Sequence, residues 1–374
     1  MPRKADNHDW ETFLTRRHIE GDAARLQATH EGKTILLTGA GGSIGSALAM
    51  RIASFGPRIL LLLESCEQNL YQIDAELDRY AASHVSILCD LADRPLLDAI
   101  LTRHQPEIVY HAAAFKHVPL MEANPFAAVR NNALGTYALA QAVAGHGAGR
   151  LIMISTDKAV DPHSVMGVSK RVAELVLMTL GTEKNRMNSI RLGNVLGSQG
   201  SVGLLFLQQI NRGGPVTVTH PEVRRYFLTL REAEDLILTG ATLDSSAGIW
   251  VPELGAPLKV LDLAEHLIRN AGLAPGVDMP IAFIGLRPGD KINENLASTL
   301  ESKEEVTACG LHRIACPACS CGDLEAAIAE LTEVLRQRDL AALIRALCRF
   351  VPRYQPSTAL LAWAADAESR ANHA

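Results

Sequence analysis

Residues 34–45, TILLTGAGGSIG, constrain the fold of this chain more than any other stretch. A short apolar run ends in a cluster of glycines, and an amphipathic segment with Leu48, Ile52 and Phe55 follows. That order reads as a buried strand, a tight turn and a helix. Gly39 permits the turn, Gly42 lets the backbone approach a pyrophosphate, and Gly45 lets the helix lie against the sheet. Ser43 and Ile44 open the helix. Its free N–H groups and partial positive charge suit phosphate oxygens.

The pattern of strand and helix then repeats. RILLLLE ends at Glu64, the distance past the glycines where an acid takes the ribose hydroxyls of a dinucleotide. An acid there repels a 2′-phosphate, so NAD is favoured over NADP. Ser65 and Cys66 follow, not an arginine. HVSILCD ends at Asp90 and Leu91, the level of the adenine. Asp90 equally suits the N-cap of the helix DRPLLDAIL, and the two roles are compatible. The fourth strand, Ile108 to His111, leads into Ala112 and Ala113, small enough for the backbone to lie against the cofactor. Lys116 beyond them is placed to meet an anionic substrate or cofactor, while His117 reads as a packing residue. The helix from about Pro125 to Ala144 carries Asn131 and Asn132, which are expected to brace the site. Together these units define an α/β chain: a Rossmann doubly wound parallel sheet, a smaller C-terminal α/β substrate lobe and C-terminal helices.

The chemistry concentrates in residues 155–170, STDKAVDPHSVMGVSK, directly after the apolar run LIMI. A buried strand that ends in a polar cluster opens into a site. Thr156, Asp157 and Lys158 supply a hydroxyl, a carboxylate and an amine in sequence, and Met166 and Lys170 share one face of the following helix. Methionine carries no proton. Acid–base work therefore falls to Asp157 and Lys158, whose position after a central strand argues against a mere surface ion pair.

Further along, Asn194 follows a strand, Arg224 and Arg225 sit in one loop, and Arg287 and Asp290 lie three apart in a turn. Two arginines from separate loops suit a diphosphate clamp. Residues 1–30 read as an arm or linker packing on a neighbour, 31–190 as the dinucleotide-binding domain with later segments interleaved, 191–300 as the substrate lobe, and 301–374 as a loop and helices. Within the last part, two amphipathic helices meet near Arg338–Asp339. Cys309, Cys316, Cys319 and Cys321, with His312 nearby, have thiolate-like spacing but incomplete knuckles, so a loop with incidental cysteines is expected and no metal site. A net charge of −5 over 374 residues argues against nucleic-acid binding. No apolar run approaches the roughly 20 residues of a membrane span, and residues 1–14 lack a signal-peptide core, so a cytoplasmic protein without a membrane span is expected.

From about Phe13 to Pro356 the chain resembles the nucleotide-sugar 4,6-dehydratases of bacterial polysaccharide biosynthesis, which are extended short-chain dehydrogenases. The motifs that carry the resemblance are GKTILLTGAGGSIGS, HAAAFKHVPLMEANP, STDKAVDPHSVMGVSKR, RLGNVLGSQGSV, GGPVTVTHPEVRRYFLT and GLRPGDK. The resemblance implies NAD or NADP at Gly39, Gly42, Gly45, Glu64, Asp90 and Lys170, and catalysis at Thr156, Asp157 and Lys158. It implies UDP-sugar contacts at Asn194, Arg225, Arg287 and Asp290. Met166 stands where some relatives have tyrosine and others methionine. UDP-N-acetylglucosamine is the implied substrate: C4 is oxidised, water leaves across C5 and C6, and the hydride returns to C6. A homo-oligomer is also implied. FLTRRHIEGDAARLQATHEGK resembles the connector that follows the membrane region of long relatives, so a short form without that region is expected. Asp290 where glutamate is usual, Asn293 where tyrosine is usual, and Ser65–Cys66 where His-Ser is common are departures that leave the sugar nucleotide open. An epimerase, a C5-inverting dehydratase and a catalytically silent NAD-binding protein are the alternatives; the first normally retains the tyrosine that Met166 replaces.

Overall fold

The structure, a computed structural model, describes residues 10–80, 82–306, 310–315 and 319–371. Six strands come first: β1 (Thr34–Thr38), β2 (Ile59–Glu64), β3 (His84–Leu88), β4 (Ile108–His111), β5 (Arg150–Thr156) and β6 (Arg186–Leu192). They lie in the order β3-β2-β1-β4-β5-β6, all parallel, and strand Ala247–Pro252 continues the parallel sheet beyond β6. The order reverses between β1 and β4, which opens a crevice at the strands' C-terminal ends.

Every residue of β1 and β4 is buried. That burial on both faces explains why β1 reads as a continuous apolar run rather than an alternation. Leu36, Leu61, Val109 and Met153 point to one face, where helices Arg94–His104, Gly135–His146 and Val165–Leu180 cover them. Ile35, Leu37, Leu60 and Leu62 point to the other, under helices Ser43–Ala53, Glu67–Asp78 and Leu230–Gly240. A third, separate cluster centres on Phe206, Leu263 and Leu267 and forms the core of the substrate lobe. The sheet and the lobe thus match the architecture expected from sequence.

Four expectations need correction. The N-terminal arm docks on its own chain. Phe13 packs edge-on against Phe227 with ring centroids 5.8 Å apart, and Arg16 pairs with Glu232 at 2.5 and 3.0 Å. The stretch after residue 300 is not only loop. Ser302–Val306 and Leu311–Ala315 pair antiparallel and extend the main sheet beside Ala247–Pro252. A third C-terminal helix, Thr358–Ala371, follows Cys321–Gln337 and Leu340–Phe350. Finally, Asp93 rather than Asp90 caps helix Arg94–His104, accepting Leu96 N–H at 3.1 Å. Asp90 accepts Ala92 N–H in the preceding turn. Of the cysteine cluster, Cys309 and Cys316 lie outside the described residues, and among the described residues no group of histidine, cysteine or acid side chains is placed to hold a metal. No described helix is long and apolar enough to cross a membrane.

Candidate functional site

The glycine turn is shaped by steric need. Gly39 sits at φ +65°, and a Cβ there would stand 2.6 Å from Ala113 N. A Cβ on Gly45 would lie 1.9 Å from the Gly39 carbonyl oxygen. Only hydrogen fits at either place. Gly42 is the N-cap of helix Ser43–Ala53 and offers no side chain to it, so the helix's first N–H groups face the crevice without a side-chain partner from the cap. Glu64 ends β2 almost buried. One carboxylate oxygen accepts Gly41 N–H at 3.1 Å, and the other accepts Ser65 and Cys66 N–H. The acid therefore fixes the glycine turn relative to β2. Asp90 remains exposed at the rim with Arg130 3.9 Å away, and Leu91 is buried beside it.

A cavity of about 390 Å³ lies between the strand ends and the substrate lobe. Ile44 and Ala112 line it next to the glycine turn. Thr156, Lys158, Met166 and Lys170 form its floor and wall. Lys116, Asn194, Arg225, Arg287 and Asp290 line the rest. Eleven of the residues singled out from sequence thus converge on one cavity. Gly39, Gly42, Ser43, Gly45, Glu64, Asp90, Leu91, Ala113 and Asp157 are not part of its lining.

At the end of β5 the Thr156 side chain caps a 3-10 turn, Asp157–Ala159. Thr156 Oγ1 donates to Asp157 Oδ1 at 2.9 Å, and Lys158 Nζ donates to the same oxygen at 2.9 Å and to Asn194 Oδ1 at 3.1 Å. Asp157 has no exposed surface, and its Oδ2 is buried without a hydrogen-bond partner. Lys158 keeps 20% of its side chain exposed. The pair is a half-enclosed couple with the amine toward the cavity and the acid behind it. A surface ion pair is excluded.

Met166 and Lys170 come from helix Val165–Leu180, started by Ser164, whose hydroxyl accepts Gly167 N–H at 3.1 Å. Lys170 is 4% exposed. Burial pushes its ammonium down to about 8, partly offset by Glu174. The helix is held from three sides. Glu122 accepts Val165 N–H at 2.7 Å and Ser357 Oγ at 2.5 Å. Asn132 bonds both the N–H and the carbonyl of Phe115 and donates to Ser169 Oγ at 3.0 Å. Glu174 accepts Ser155 Oγ at 2.7 Å and a two-point contact from Arg191. The expected bracing thus comes from Asn132. Asn131 only donates to Asn132 Oδ1, at 3.0 Å.

The two arginines are not equal clamps. Arg225 donates to the carbonyls of Arg224, Lys291 and Ile292 and is largely buried. Arg287 keeps half its side chain exposed and pairs with Asp290 at 2.9 Å. Lys116 reaches across to the Gln199 carbonyl at 2.7 Å, and burial lowers its pKa. Gln199 N–H also bonds Ser43 Oγ at 2.9 Å, so this residue ties the glycine turn to Lys116. Gln199, Glu294 and Tyr226 belong to the site's surroundings but were not singled out from sequence. Their role depends on tertiary approach. The sequence signal was that Gln199 and Tyr226 lie inside quoted motifs and Glu294 three residues past one.

The fold is a Rossmann-like α/β fold of the short-chain dehydrogenase type. Residues 35–315 match the model of the polysaccharide biosynthesis protein family, and the chain belongs to that family. It is 42% identical to the probable polysaccharide biosynthesis protein EpsC of Bacillus subtilis over 299 residues, 79% of this chain and 50% of that one. It is 43% identical to the capsular polysaccharide biosynthesis protein CapD of Staphylococcus aureus, over 78% of this chain and 49% of that one. The chain therefore spans about half the length of these curated relatives. Among solved structures, Pen from Bacillus thuringiensis superposes with a TM-score of 0.71 at 25% identity, covering 78% of this chain and 92% of that one. DesIV, a dTDP-glucose 4,6-dehydratase from Streptomyces venezuelae solved with NAD bound, shares the fold with a TM-score of 0.60 at 20% identity, over 69% of this chain and 86% of that one.

Proposed function

We propose that this chain is an NAD-dependent nucleotide-sugar 4,6-dehydratase acting on UDP-N-acetylglucosamine. The observation that carries the reading is the couple at the end of β5: a cavity-facing amine and an enclosed carboxylate, 2.9 Å apart, beside a methionine where a proton-carrying tyrosine would serve an epimerase. Membership of the polysaccharide biosynthesis family supports the setting.

The residues fit a dinucleotide. The Gly39–Ala113 approach leaves space only for backbone, and the first N–H groups of helix Ser43–Ala53 suit the pyrophosphate. Glu64 suits the adenosine ribose and favours NAD over NADP, Asp90 and Leu91 the adenine, and Lys170 the nicotinamide ribose. Held there, NAD would supply a hydride acceptor for C4 and a hydride donor for C6; the C4 hydroxyl proton would leave through water beside Lys170, and Lys158 would return its proton to C5. Lys158 faces the cavity and removes the C5 proton once C4 is a ketone. The C6 hydroxyl leaves as water after taking a proton. Because Asp157 is enclosed, that proton passes through Thr156 Oγ1, which lines the cavity 2.9 Å from Asp157 Oδ1. For this the Thr156 hydroxyl turns away from Asp157 Oδ1, gives its proton to the leaving oxygen and accepts the one on Asp157 in its place. Arg287 and Lys116 offer positive charge to the diphosphate, and Asn194 and Asp290 offer polar contacts to the sugar nucleotide.

Asp157→Asn and Lys158→Ala test this assignment. Each is expected to lose elimination by about 100-fold or more while keeping bound cofactor. Dehydratase activity unchanged in both variants, read by loss of water from the UDP-sugar, would contradict it.

A further inference from the structure

A short link joins the acid–base couple to the helix that carries Lys170. The 3-10 turn Asp157–Ala159 ends at Val160, and Ser164 caps helix Val165–Leu180. The helix lies directly on the couple: a Cβ on Gly167 would stand 2.3 Å from the Lys158 carbonyl oxygen. Within the link, Asp161 sits at φ +40°. Aspartate tolerates the left-handed region better than most side chains, but it is still sparsely populated. Asp161 also precedes Pro162, where a chain normally stays extended. A backbone held in such a conformation persists only where its surroundings enforce it.

The enforcing groups come from two distant segments. From the first, Lys291 Nζ donates to the carbonyls of Val160 at 3.0 Å and Asp161 at 3.4 Å, and Ser298 Oγ donates to Asp161 Oδ1 at 3.1 Å. The second runs between helices Leu340–Phe350 and Thr358–Ala371. Its Arg353 Nε pairs with the same Asp161 oxygen, and its Gln355 N–H donates to the Pro162 carbonyl at 2.9 Å. Its Ser357 Oγ bonds Glu122, which accepts Val165 N–H at the head of the helix. Asp161 Oδ1 is where the two segments meet. The Asp161 and Arg353 side chains are 27% and 45% exposed, and an ion pair so open to water adds little to stability. Neither residue is among those lining the cavity. What their contact fixes is the direction of the link, and with it how the couple faces Lys170.

We propose that Asp161, held by Arg353 and Ser298, is a positioning residue: it sets the turn bearing Asp157 and Lys158 against the helix bearing Lys170, so that both lysines meet one sugar at the same time. The inference rests on the dehydratase reading above, in which Lys158 works at C5 and Lys170 beside C4.

The test compares wild type with Asp161→Asn, Asp161→Gly, Arg353→Met and the double variant Asp161→Gly/Arg353→Met, each purified with its NAD. Asparagine tolerates the left-handed region and still accepts from Ser298, so Asp161→Asn is expected to keep kcat within about threefold. Glycine relieves the backbone but removes the anchor. Asp161→Gly and Arg353→Met are each expected to lower kcat on UDP-N-acetylglucosamine by about tenfold, with KM, bound NAD and thermal midpoint unchanged. The double variant is expected to match Asp161→Gly, because both changes break one contact. Wild-type kcat in Asp161→Gly, losses that multiply in the double variant, or activity that only follows thermal stability would each overturn the proposal. A second readout needs no turnover. Amide hydrogen exchange in Arg353→Met, whose link keeps its own sequence, is expected to speed up by about tenfold in peptides covering residues 157–167 and to stay unchanged in the central strands. Unaltered exchange at the turn would contradict the anchoring. Absence of turnover in wild type would instead remove the dehydratase reading, and the exchange comparison alone would then decide whether Arg353 holds the turn.

Discussion

Arg191 has no exposed surface, yet its guanidinium meets two carboxylates, Glu174 at 2.8 and 2.9 Å and Glu301 at 2.7 and 2.9 Å. It joins β6, the Met166–Lys170 helix and the segment leading into the sheet's antiparallel edge. Burial alone would push the Glu174 carboxyl up, but Arg191, with Arg171 and the Ser155 hydroxyl, brings it down to about 2. A carboxyl with a lowered folded pKa contributes stability above its unfolded value of about 4.3 and loses it as pH falls toward 2. Glu174→Gln leaves Arg191 with one fewer counter-charge and is expected to cost about 3 kcal/mol near neutral pH, shrinking below pH 4. Equilibrium denaturation at both pH values reads this; a cost independent of pH would refute it. At this scale the sequence displayed the residues that sit at fixed offsets in motifs. Gly39, Lys158 and Lys170 were legible because turn sterics and helix spacing fix them locally. Gln199 and the Arg191 network were not, because their partners lie 17 to 156 residues away and meet only in the folded chain.

Among elements, the parallel strands announced themselves through apolar runs, and helix Val165–Leu180 through its Met166–Lys170 face. The helix expected from about Pro125 to Ala144 is interrupted by a π-helical turn, Val129–Leu134. Such turns insert a residue into the helical ladder and often occur at functional sites. No periodicity signals one, since hydrophobic spacing changes by a single residue. Here the turn contains Asn132, which bonds both backbone groups of Phe115 next to Lys116. Asn132→Ala strands those half-buried groups and is expected to cost about 2 kcal/mol, with a further loss of activity as Lys116 and Ser169 lose their support. Denaturation and kinetics measure the two effects, and wild-type stability in the variant would show the bracing to be idle. The edge strands Ser302–Val306 and Leu311–Ala315 were hidden for another reason: the first, SKEEV, is polar, and the second takes its place because Ala247–Pro252 offers an open edge on which Leu311 and Ile314 can be buried.

Across the whole molecule, the first and last described segments are bound into the domain they flank. The N-terminal arm closes over the substrate lobe through Phe13 and Arg16, and His30 meets the Tyr110 hydroxyl at 2.6 Å beneath the sheet. The C-terminal helices share one core with helix Val165–Leu180: Leu324, Leu331, Leu343 and Leu347 join the cluster that contains Val168, Val172 and Val176. Leu324→Ala is therefore expected to cost about 3 kcal/mol although it lies far along the chain from the site. A thermal midpoint unchanged from wild type would show the helices to be loosely attached. The central claim is chemical, and one measurement addresses it. The purified protein is incubated with UDP-N-acetylglucosamine without added reductant, and the product is followed by mass spectrometry and proton NMR. Loss of one water with a new methyl doublet at C6 is the predicted result, and its coupling constants give the C5 configuration. A sugar isomer of unchanged mass would make the protein an epimerase, and an untouched substrate would contradict the proposed reaction.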